Sequence, residues 1–228
     1  MKAADAIHRI PLFKPLSPAR FQRLLSASTM ERYEKGRTIF HQGERAQAIW
    51  VVLDGWVHLV RSSSVDETSH AVVVFTITAD EMLCGISAID SGTYNVSAVV
   101  GAMCRALRIP GAVFQEALTH EPEFAYQVIR LCARRMRHIA QQYGSMAEPV
   151  ASRIVRSILR LRQQFGARLP VTHRELAQMS WTTTETAIRM VRALKRQGLV
   201  RGMRGQLTIA RPRALEQLLK QRNGHRGS

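Results

Sequence analysis

Short apolar runs separated by polar residues and glycines fill the first 110 positions. Gly36, Gly43 and Gly55 lie between or beside these runs, where we expect turns. Runs rich in β-branched and aromatic residues occupy positions 38–40, 48–53, 56–60, 71–78 and 96–109. Short strands at this spacing are typical of a β-sandwich or a jelly-roll barrel. We therefore predict an N-terminal barrel domain over residues 1–120, large enough to enclose a core and a small cavity.

From residue 121 the pattern changes to a helical period, with Pro122 suited to a first helical turn. One apolar stripe recurs at steps of three and four residues from Ala125 to Val150, and a second contains Phe124, Val128 and Leu131. We predict a helix over 121–148 whose second stripe packs on the barrel and whose first stripe pairs with a partner chain. The alternative is that both stripes pack within one chain. The predicted dimer contacts are Ile129, Cys132, Met136, Ile139 and Tyr143.

Residues 149–228 predict a winged helix-turn-helix. Thr172 with Glu175, and Thr182 with Glu185, have the spacing of capping boxes at the starts of two short helices. The second helix can bury apolar side chains at helical spacing and end before Gly198. Its predicted buried residues are Ala187, Ile188, Val191 and Leu194.

A hairpin and a last helix complete this domain. Two short strands, at 200–201 and 207–209, flank the basic segment 202–205, and a final helix follows from Pro212 with Leu215, Leu218 and Leu219 in the core. The whole chain is thus predicted to be an α+β protein: a jelly-roll β-barrel, a long dimerisation helix and a winged helix-turn-helix.

Charge is distributed unevenly between these parts. The formal net charge is +16; residues 1–148 have 16 Lys and Arg against 14 Asp and Glu, whereas residues 149–228 have 17 against 3. A domain with a net charge of +14 attracts a polyanion. The sequence shows no membrane-spanning run, signal peptide or lipidation motif, so we expect double-stranded DNA as the partner and not a membrane.

The exposed face of residues 182–192 is the expected DNA-reading surface. Glu185 can accept a hydrogen bond from a cytosine amino group, and Arg189 can donate two to guanine N7 and O6. At four residues apart they can also pair with each other, as on any solvated helix. We expect phosphate contacts from the remaining side chains of the site. These are His173, Thr182, Thr183 and Thr184, and Arg192 is a further expected DNA-binding residue.

Several motifs in combination resemble the Crp/Fnr superfamily of bacterial transcription regulators. They are Tyr33-x-x-Gly36-x-x-Ile39-Phe40-x-x-Gly43-Glu44, Leu53-x-Gly55 and Glu185-Thr186-x-x-Arg189. The resemblance covers nearly the whole chain. It implies a homodimeric, cytoplasmic regulator that contacts RNA polymerase and reads a palindromic site, with Glu185 and Arg189 on a G·C pair of a TGA-containing half-site.

Two positions depart from the family pattern. Thr184 stands where cyclic-AMP-responsive members have arginine, which implies a different preference at the neighbouring base. Trp181 occupies a turn position that is usually glycine.

The resemblance also locates an effector pocket around residues 82–98. Its expected members are Met82, Cys84, Gly85, Ile86, Ser87, Val96 and Ser97. Ile86 and Val96 replace the carboxylate and the arginine with which cyclic-nucleotide-binding members hold the ribose and the phosphate. A buried phosphate without its arginine is costly, so we expect a regulator that does not depend on cyclic AMP.

The identity of the effector stays open. Three dispersed cysteines without a CxxC motif argue against an iron–sulfur cluster and suit a reducing cytoplasm. Haem, as in the gas-sensing and NO-responsive branches that the N-terminus resembles, is one candidate, and the alternatives are another small ligand, thiol redox control or no effector. The candidate axial ligands are Met82, Cys84, His8, His58 and His70.

Two other functional classes are disfavoured. The chain shows no catalytic or metal-ligating constellation at functional spacing, so we predict that it is not an enzyme. A ligand-gated regulatory subunit with a similar barrel would lack the basic helix-turn-helix.

Overall fold

Two antiparallel strands of fourteen residues form the centre of the N-terminal unit, which comprises residues 1–139. The computed structural model describes residues 7–8, 10–62, 71–83, 85–203 and 205–224. In chain order the strands of this unit are β1 (Thr29–Tyr33), β2 (Thr38–Phe40), β3 (Ala48–Arg61), β4 (Val72–Thr78), β5 (Met82–Leu83) and β6 (Ser97–Pro110). The sheet order is β1-β6-β3-β4, β2 also pairs with β6, and β5 pairs with β3.

Gly55 does not form the predicted turn. It lies inside β3, where its φ is +74° and the register with β6 shifts. A Cβ atom at this position would lie 2.3 Å from the carbonyl oxygen of Met103. The two runs predicted as separate strands are therefore one long strand with an irregularity at glycine, since no other residue fits this close approach without strain.

Helices cover one side of the sheet and enclose an aromatic core. They are α1 (Pro18–Ala27), α2 (Gly85–Ile89), α3 (Gly111–His120) and α4 (Pro122–Gly144), with a 3₁₀ turn at Pro11–Phe13. The rings of Phe13 and Phe114 each lie 5.7 Å from the ring of Phe124 on α4. A second cluster lies within the sheet, where Phe40 stacks on Tyr94 at 4.0 Å.

Helix α4 has the two apolar stripes expected from its sequence. Phe124 and Val128 are buried and Leu131 packs against the first core cluster, as predicted. Cys132, which we predicted on the outer stripe, packs partly buried against that same cluster. The other stripe is exposed. It contains Ile129, Met136, Ile139 and Tyr143.

The outer stripe is also shorter than predicted. Helix α4 ends at Gly144, and a 3₁₀ turn at Ser145–Ala147 follows before Pro149. Val150 begins a separate helix, so it does not extend the stripe.

The second unit, residues 140–228, contains a three-stranded sheet and four further helices among its described residues. Its elements are α5 (Val150–Phe165), β7 (Arg168–Leu169), α6 (His173–Met179), α7 (Thr184–Arg196), β8 (Val200–Met203), β9 (Gln206–Ile209) and α8 (Pro212–Gly224). Helix α6 packs on α7, and α5 packs on α6 and α8. The sheet order is β7-β9-β8.

This succession of a β-sheet domain, a long helix and a helix-turn-helix confirms the predicted α+β architecture. In the last helix Leu215 is buried, as expected, whereas Leu218 and Leu219 are only partly buried. Strand β7 was not anticipated, because two residues show no alternation that a pattern could reveal.

Candidate nucleic-acid interface

Helix α6 begins with the capping box that the sequence predicted. The backbone N–H of Glu175 donates to Thr172 Oγ1 at 3.2 Å, and the backbone N–H of Thr172 donates to Glu175 Oε2 at 2.7 Å. These two bonds satisfy N–H groups that have no partner within the helix and fix its first turn.

The second predicted capping box is wrong. Helix α7 is capped by Thr183, whose Oγ1 accepts from the backbone N–H of Thr186 at 3.2 Å. The N–H of Thr182 donates to the carbonyl of Ala177 instead and belongs to the turn. The helix therefore starts one residue later than expected, and Glu185 lies in its first turn, beside the positive end of the helix dipole.

Trp181 gives the turn between the two helices a left-handed backbone. Its φ is +53°, a conformation that costs most residues about 1–2 kcal/mol and that glycine adopts freely. The preceding Ser180 is buried, and its Oγ hydrogen-bonds to Ser157 Oγ of α5 at 3.0 Å. The turn thus keeps its geometry with tryptophan in place of glycine.

Helix α7 separates an apolar inner face from a polar outer face. Ala187, Val191 and Leu194 are buried, as predicted, while Ile188 is only half-buried. The helix ends at Arg196, two residues before Gly198, whose φ is +67°, and the N–H of Leu199 donates to the carbonyl of Leu194.

The outer face presents three exposed charged side chains. Glu185, Arg189 and Arg192 are exposed, and none of them forms a salt bridge with another described residue. The pairing of Glu185 with Arg189 that their spacing allows is not formed. Both remain available to another molecule.

His173 lies beside the same face. It is the first residue of α6, and burial, followed by the charges of Lys195 and Arg192, lowers the pKa of its imidazole. Lys195 Nζ in turn donates to the carbonyl of Gly202 in the β8–β9 hairpin at 3.2 Å. His173 of α6 thus lies within electrostatic reach of Arg192 and Lys195 of α7, and Lys195 connects α7 to the hairpin. Of the other expected phosphate contacts, Thr183 is exposed and Thr182 and Thr184 are partly exposed.

The residues expected around an effector occupy several environments. Met82 is buried in the core cluster next to the helices, whereas Val96 is buried in the cluster within the sheet. Ser87 is buried on α2, and Ser97 Oγ accepts from the backbone N–H of Gln42 at 2.9 Å. The described members of the predicted set therefore lie in different surroundings. Gly85 begins α2 and Ile86 follows it in that helix, while Cys84 lies outside the described residues.

Known protein families match both the N-terminal unit and the second unit of the chain. The family of Crp-like helix-turn-helix domains matches residues 152–218, and the cyclic nucleotide-binding domain family matches residues 30–121. The chain belongs to the Crp/Fnr superfamily. It is a DNA-binding transcription regulator of the Crp type, as its relatives are.

Relatives match the Crp/Fnr chain over nearly its full length. The cyclic AMP receptor protein of Thermus thermophilus is 28% identical over 210 residues, which are 91% of this chain and 96% of the relative. A putative cyclic nucleotide binding protein from Ruegeria pomeroyi is 25% identical with a TM-score of 0.64, covering 96% of this chain and 99% of that structure. A putative regulator of the Crp/Fnr family from Eubacterium rectale has the same fold, with a TM-score of 0.76 at 19% identity over 92% of this chain and 98% of that structure.

The candidate haem ligands of this Crp/Fnr protein have different surroundings. His58 is buried and its Nδ1 shares a hydrogen bond with Thr76 Oγ1 at 3.1 Å, whereas His8 is exposed and its ring lies 4.1 Å from that of Phe21. Met82 is the buried core residue described above, and Cys84 and His70 lie outside the described residues.

Neither described cysteine has the character of a reactive thiol. Burial, reinforced by the charge of Asp54, raises the pKa of Cys104 to about 12. Burial also raises the pKa of Cys132, against the opposing charge of Arg135. Thiolates are the reactive species, so both positions are poorly suited to redox sensing.

The described part of the chain lacks two features. It contains no group of three or more His, Cys, Asp or Glu residues placed to hold a metal ion. No helix there is long and apolar enough to cross a membrane.

Proposed function

We propose that this regulator binds a two-fold symmetric DNA site as a homodimer and inserts α7 into the major groove of each half-site. The observation that carries the proposal is the pair Glu185 and Arg189 on the first two turns of α7, both exposed and neither in a salt bridge with a described residue. A recognition helix contacts base edges with its N-terminal residues, and these are the residues that its cap at Thr183 places there.

The half-site is proposed to be TGA-like. Arg189 donates its two guanidinium N–H groups to guanine N7 and O6, and Glu185 accepts from the amino group of the paired cytosine. Thr184, at the first position of α7, faces the neighbouring base with a hydroxyl where arginine stands in cyclic-AMP-responsive members. We therefore propose a preference at that base different from theirs.

The dimer is proposed to form through the exposed stripe of α4. Ile129, Met136 and Tyr143 are each more than half exposed. Large apolar side chains repeating along one helix face are typical of a helix-helix contact between two chains. Two copies would present two recognition helices to successive turns of one face of the duplex. Contact with RNA polymerase is part of the same proposal.

The barrel is proposed to respond to a signal other than cyclic AMP. Val96, which replaces the phosphate-binding arginine of cyclic-AMP-responsive members, is a buried apolar residue. A phosphate placed against it would lose its water without gaining a cationic partner. The alternative is a regulator of the same fold that binds DNA without an effector.

The DNA proposal is tested by selecting sites from random duplexes and then measuring affinity for the enriched site, for each half-site alone and for a scrambled site. We expect a palindrome with TGA-like halves, bound far more tightly whole than as a half. Enrichment of an asymmetric sequence, or equal affinity for half and whole sites, would contradict it.

The effector proposal is tested by titrating cyclic AMP and haemin separately into the full chain. We expect no heat and no gain in DNA affinity with cyclic AMP. A stoichiometric Soret band that shifts with CO or NO would identify haem, whereas a spectrum like that of free haemin would leave other ligands or effector-free binding. Saturable binding of cyclic AMP with increased DNA affinity would refute independence from cyclic AMP.

A further inference from the structure

A cleft that opens to solvent lies between α5 and the turn that precedes α7, on the second unit. Its lining includes Arg153, Arg156 and Arg160 of α5, the hydroxyls of Ser157 and Ser180, and Trp181. None of the residues that line it is acidic. The three arginines recur at steps of three and four, so α5 presents them along one face.

One arginine of the cleft forms a salt bridge. Glu148, at the start of the unit, accepts from Arg156 Nη2 at 2.5 Å. Arg153 forms no salt bridge within the described part of the chain. Two guanidinium nitrogens, Nε of Arg153 and Nε of Arg156, are buried without a hydrogen-bond partner among the described residues. A buried donor without an acceptor is costly, so these atoms point to an acceptor supplied from outside.

Repulsion within the cluster leads to the same conclusion. Burial and the charge of Arg156 both lower the pKa of Arg160, so the folded chain holds these cations close together at a cost. An anion with more than one negative charge would remove that cost. The flat guanidinium group matches the oxygen spacing of phosphate and can bind two of its oxygens at once.

Two hydroxyls at the base of the cleft already donate within the unit, Ser180 Oγ to Ser157 Oγ at 3.0 Å and Ser157 Oγ to the carbonyl of Met179 at 3.3 Å. Ser157 and Ser180 are almost fully buried, and each is anchored by the hydrogen bond that joins their Oγ atoms. The guanidinium groups along the wall therefore supply the donors for a ligand bound at the mouth of the cleft.

We propose that this cleft binds a phosphoryl group, held by Arg153, Arg156 and Arg160. The site is separate from the base-reading residues Glu185 and Arg189, and it does not depend on what the barrel binds. The phosphoryl group comes either from a small phosphorylated molecule or from the DNA backbone, and the two sources are distinguishable by experiment.

The first arm measures thermal unfolding of the full chain in sodium phosphate and in sodium chloride of the same ionic strength. Phosphate stabilises many proteins by exclusion from their surface, so variants are needed to separate that effect from binding. At a concentration well above the dissociation constant we expect phosphate to raise the Tm by about 2–4 °C more in the parent chain than in Arg153→Gln or Arg160→Met. Arg213→Gln removes an exposed charge from α8 in the same unit and should respond like the parent chain.

The second arm measures duplex affinity against salt for the same four proteins. If a DNA phosphate occupies the cleft, Arg153→Gln and Arg160→Met should each lower affinity on specific and scrambled DNA alike and reduce the salt slope by about one. Arg213→Gln should change neither quantity.

A positive first arm establishes the phosphoryl site. A positive second arm identifies the DNA backbone as its source, whereas a negative second arm with a positive first one identifies a small phosphorylated molecule. The proposal is overturned if phosphate stabilises all four proteins equally and all four keep the same affinity and salt slope. Arg153→Gln keeps the test decisive if Arg160→Met does not fold. If the parent chain shows the phosphate response but no sequence-specific DNA binding, the proposed role of α7 fails and the phosphoryl site is retained.

Discussion

The hydroxyl of Thr183 accepts a hydrogen bond from the backbone N–H of Thr186 at 3.2 Å, and this bond sets where the recognition helix begins. Removing the hydroxyl in Thr183→Ala should lower the free energy of unfolding by about 1 kcal/mol, because an N–H of the first turn loses its acceptor. Thr182→Ala is the matched control one residue earlier and should cost much less. Denaturant unfolding of both variants measures the difference, and equal losses would show that Thr183 is not the effective cap.

Arg189 should determine sequence discrimination. Arg189→Ala should reduce affinity for the selected palindrome by a factor of about 5–150 per half-site, which corresponds to the loss of one bidentate base contact. Its affinity for scrambled DNA should change little. Arg196→Ala removes an exposed charge from the same helix and should weaken binding to both sequences alike. Equal losses of Arg189→Ala on both DNAs would instead assign Arg189 to the backbone.

His173 should make DNA binding stronger at lower pH. Its pKa in the free protein is lowered by burial and by Lys195 and Arg192, whereas a nearby DNA phosphate would favour the protonated ring and raise it. Formation of the complex then takes up a proton, so the affinity for DNA rises as the pH falls from 8 toward 5.5. Each unit by which DNA raises the pKa of His173 increases that affinity by up to roughly tenfold. Fluorescence anisotropy at constant ionic strength checks this. His173→Gln should flatten the profile, and an unchanged slope would exclude His173 as its source.

The same group should affect stability in the opposite direction. A histidine whose pKa is lower in the folded than in the unfolded chain does not destabilise the fold at high pH, where it is neutral in both states. As the pH falls through the ordinary histidine pKa, the unfolded chain takes up the proton first, so the free energy of unfolding decreases. Unfolding of the free chain and of His173→Gln across this range should therefore diverge at acidic pH. Between pH 8 and that acidic range, the free energy of unfolding should fall less in His173→Gln than in the parent chain.

A charge on the outer stripe of α4 should separate the proposed dimer. Met136→Glu places a carboxylate in the centre of the apolar contact, so we expect a monomer in light scattering and a large loss of affinity for the palindrome. Gln141→Glu adds the same charge to an exposed position on another face of the helix and should remain dimeric. A dimeric Met136→Glu would show that another surface joins the chains.

Glycine at position 55 should be irreplaceable. Gly55→Ala forces a Cβ atom against the Met103 carbonyl and should destabilise the N-terminal unit by roughly 3 kcal/mol or more. Gly36 has a similar φ of +83° but open space around it, so Gly36→Ala should cost only about 1–2 kcal/mol. Similar losses in the two variants would mean that the sheet adjusts at Gly55.

The contrast between two helix starts shows what sequence could and could not predict. Thr172 with Glu175 was unambiguous because one threonine stands three residues before one acid. At 182–184 three consecutive threonines each offer a cap, and the turn around Trp181, fixed by the packing of Ser180, decides between them. Local spacing determined the first start and tertiary contacts the second.

In the rest of the chain, the spacing of apolar residues also predicted some features and missed others. It predicted the two stripes of α4, but it could not show that Cys132 lies toward the barrel or that the helix ends at Gly144. Glycine marked an irregularity at 55 without revealing that the strand continues through it. The cleft arginines of α5 were not predicted, because at helical spacing on a basic domain they resemble any solvated face.

Helix α4 is also attached to the barrel through strand β4. The ring of Phe75 stacks on His138 with centroids 4.9 Å apart, the guanidinium of Arg135 lies 6.0 Å from the same ring, and Arg135 donates to the carbonyl of Met82. These side chains occupy the same stretch of α4 as Met136 and Ile139. In the proposed dimer a displacement of β4 or β5 in one copy would therefore disturb a surface that the other copy shares. The two barrels would then not respond independently, and the response of the pair to its signal should be cooperative.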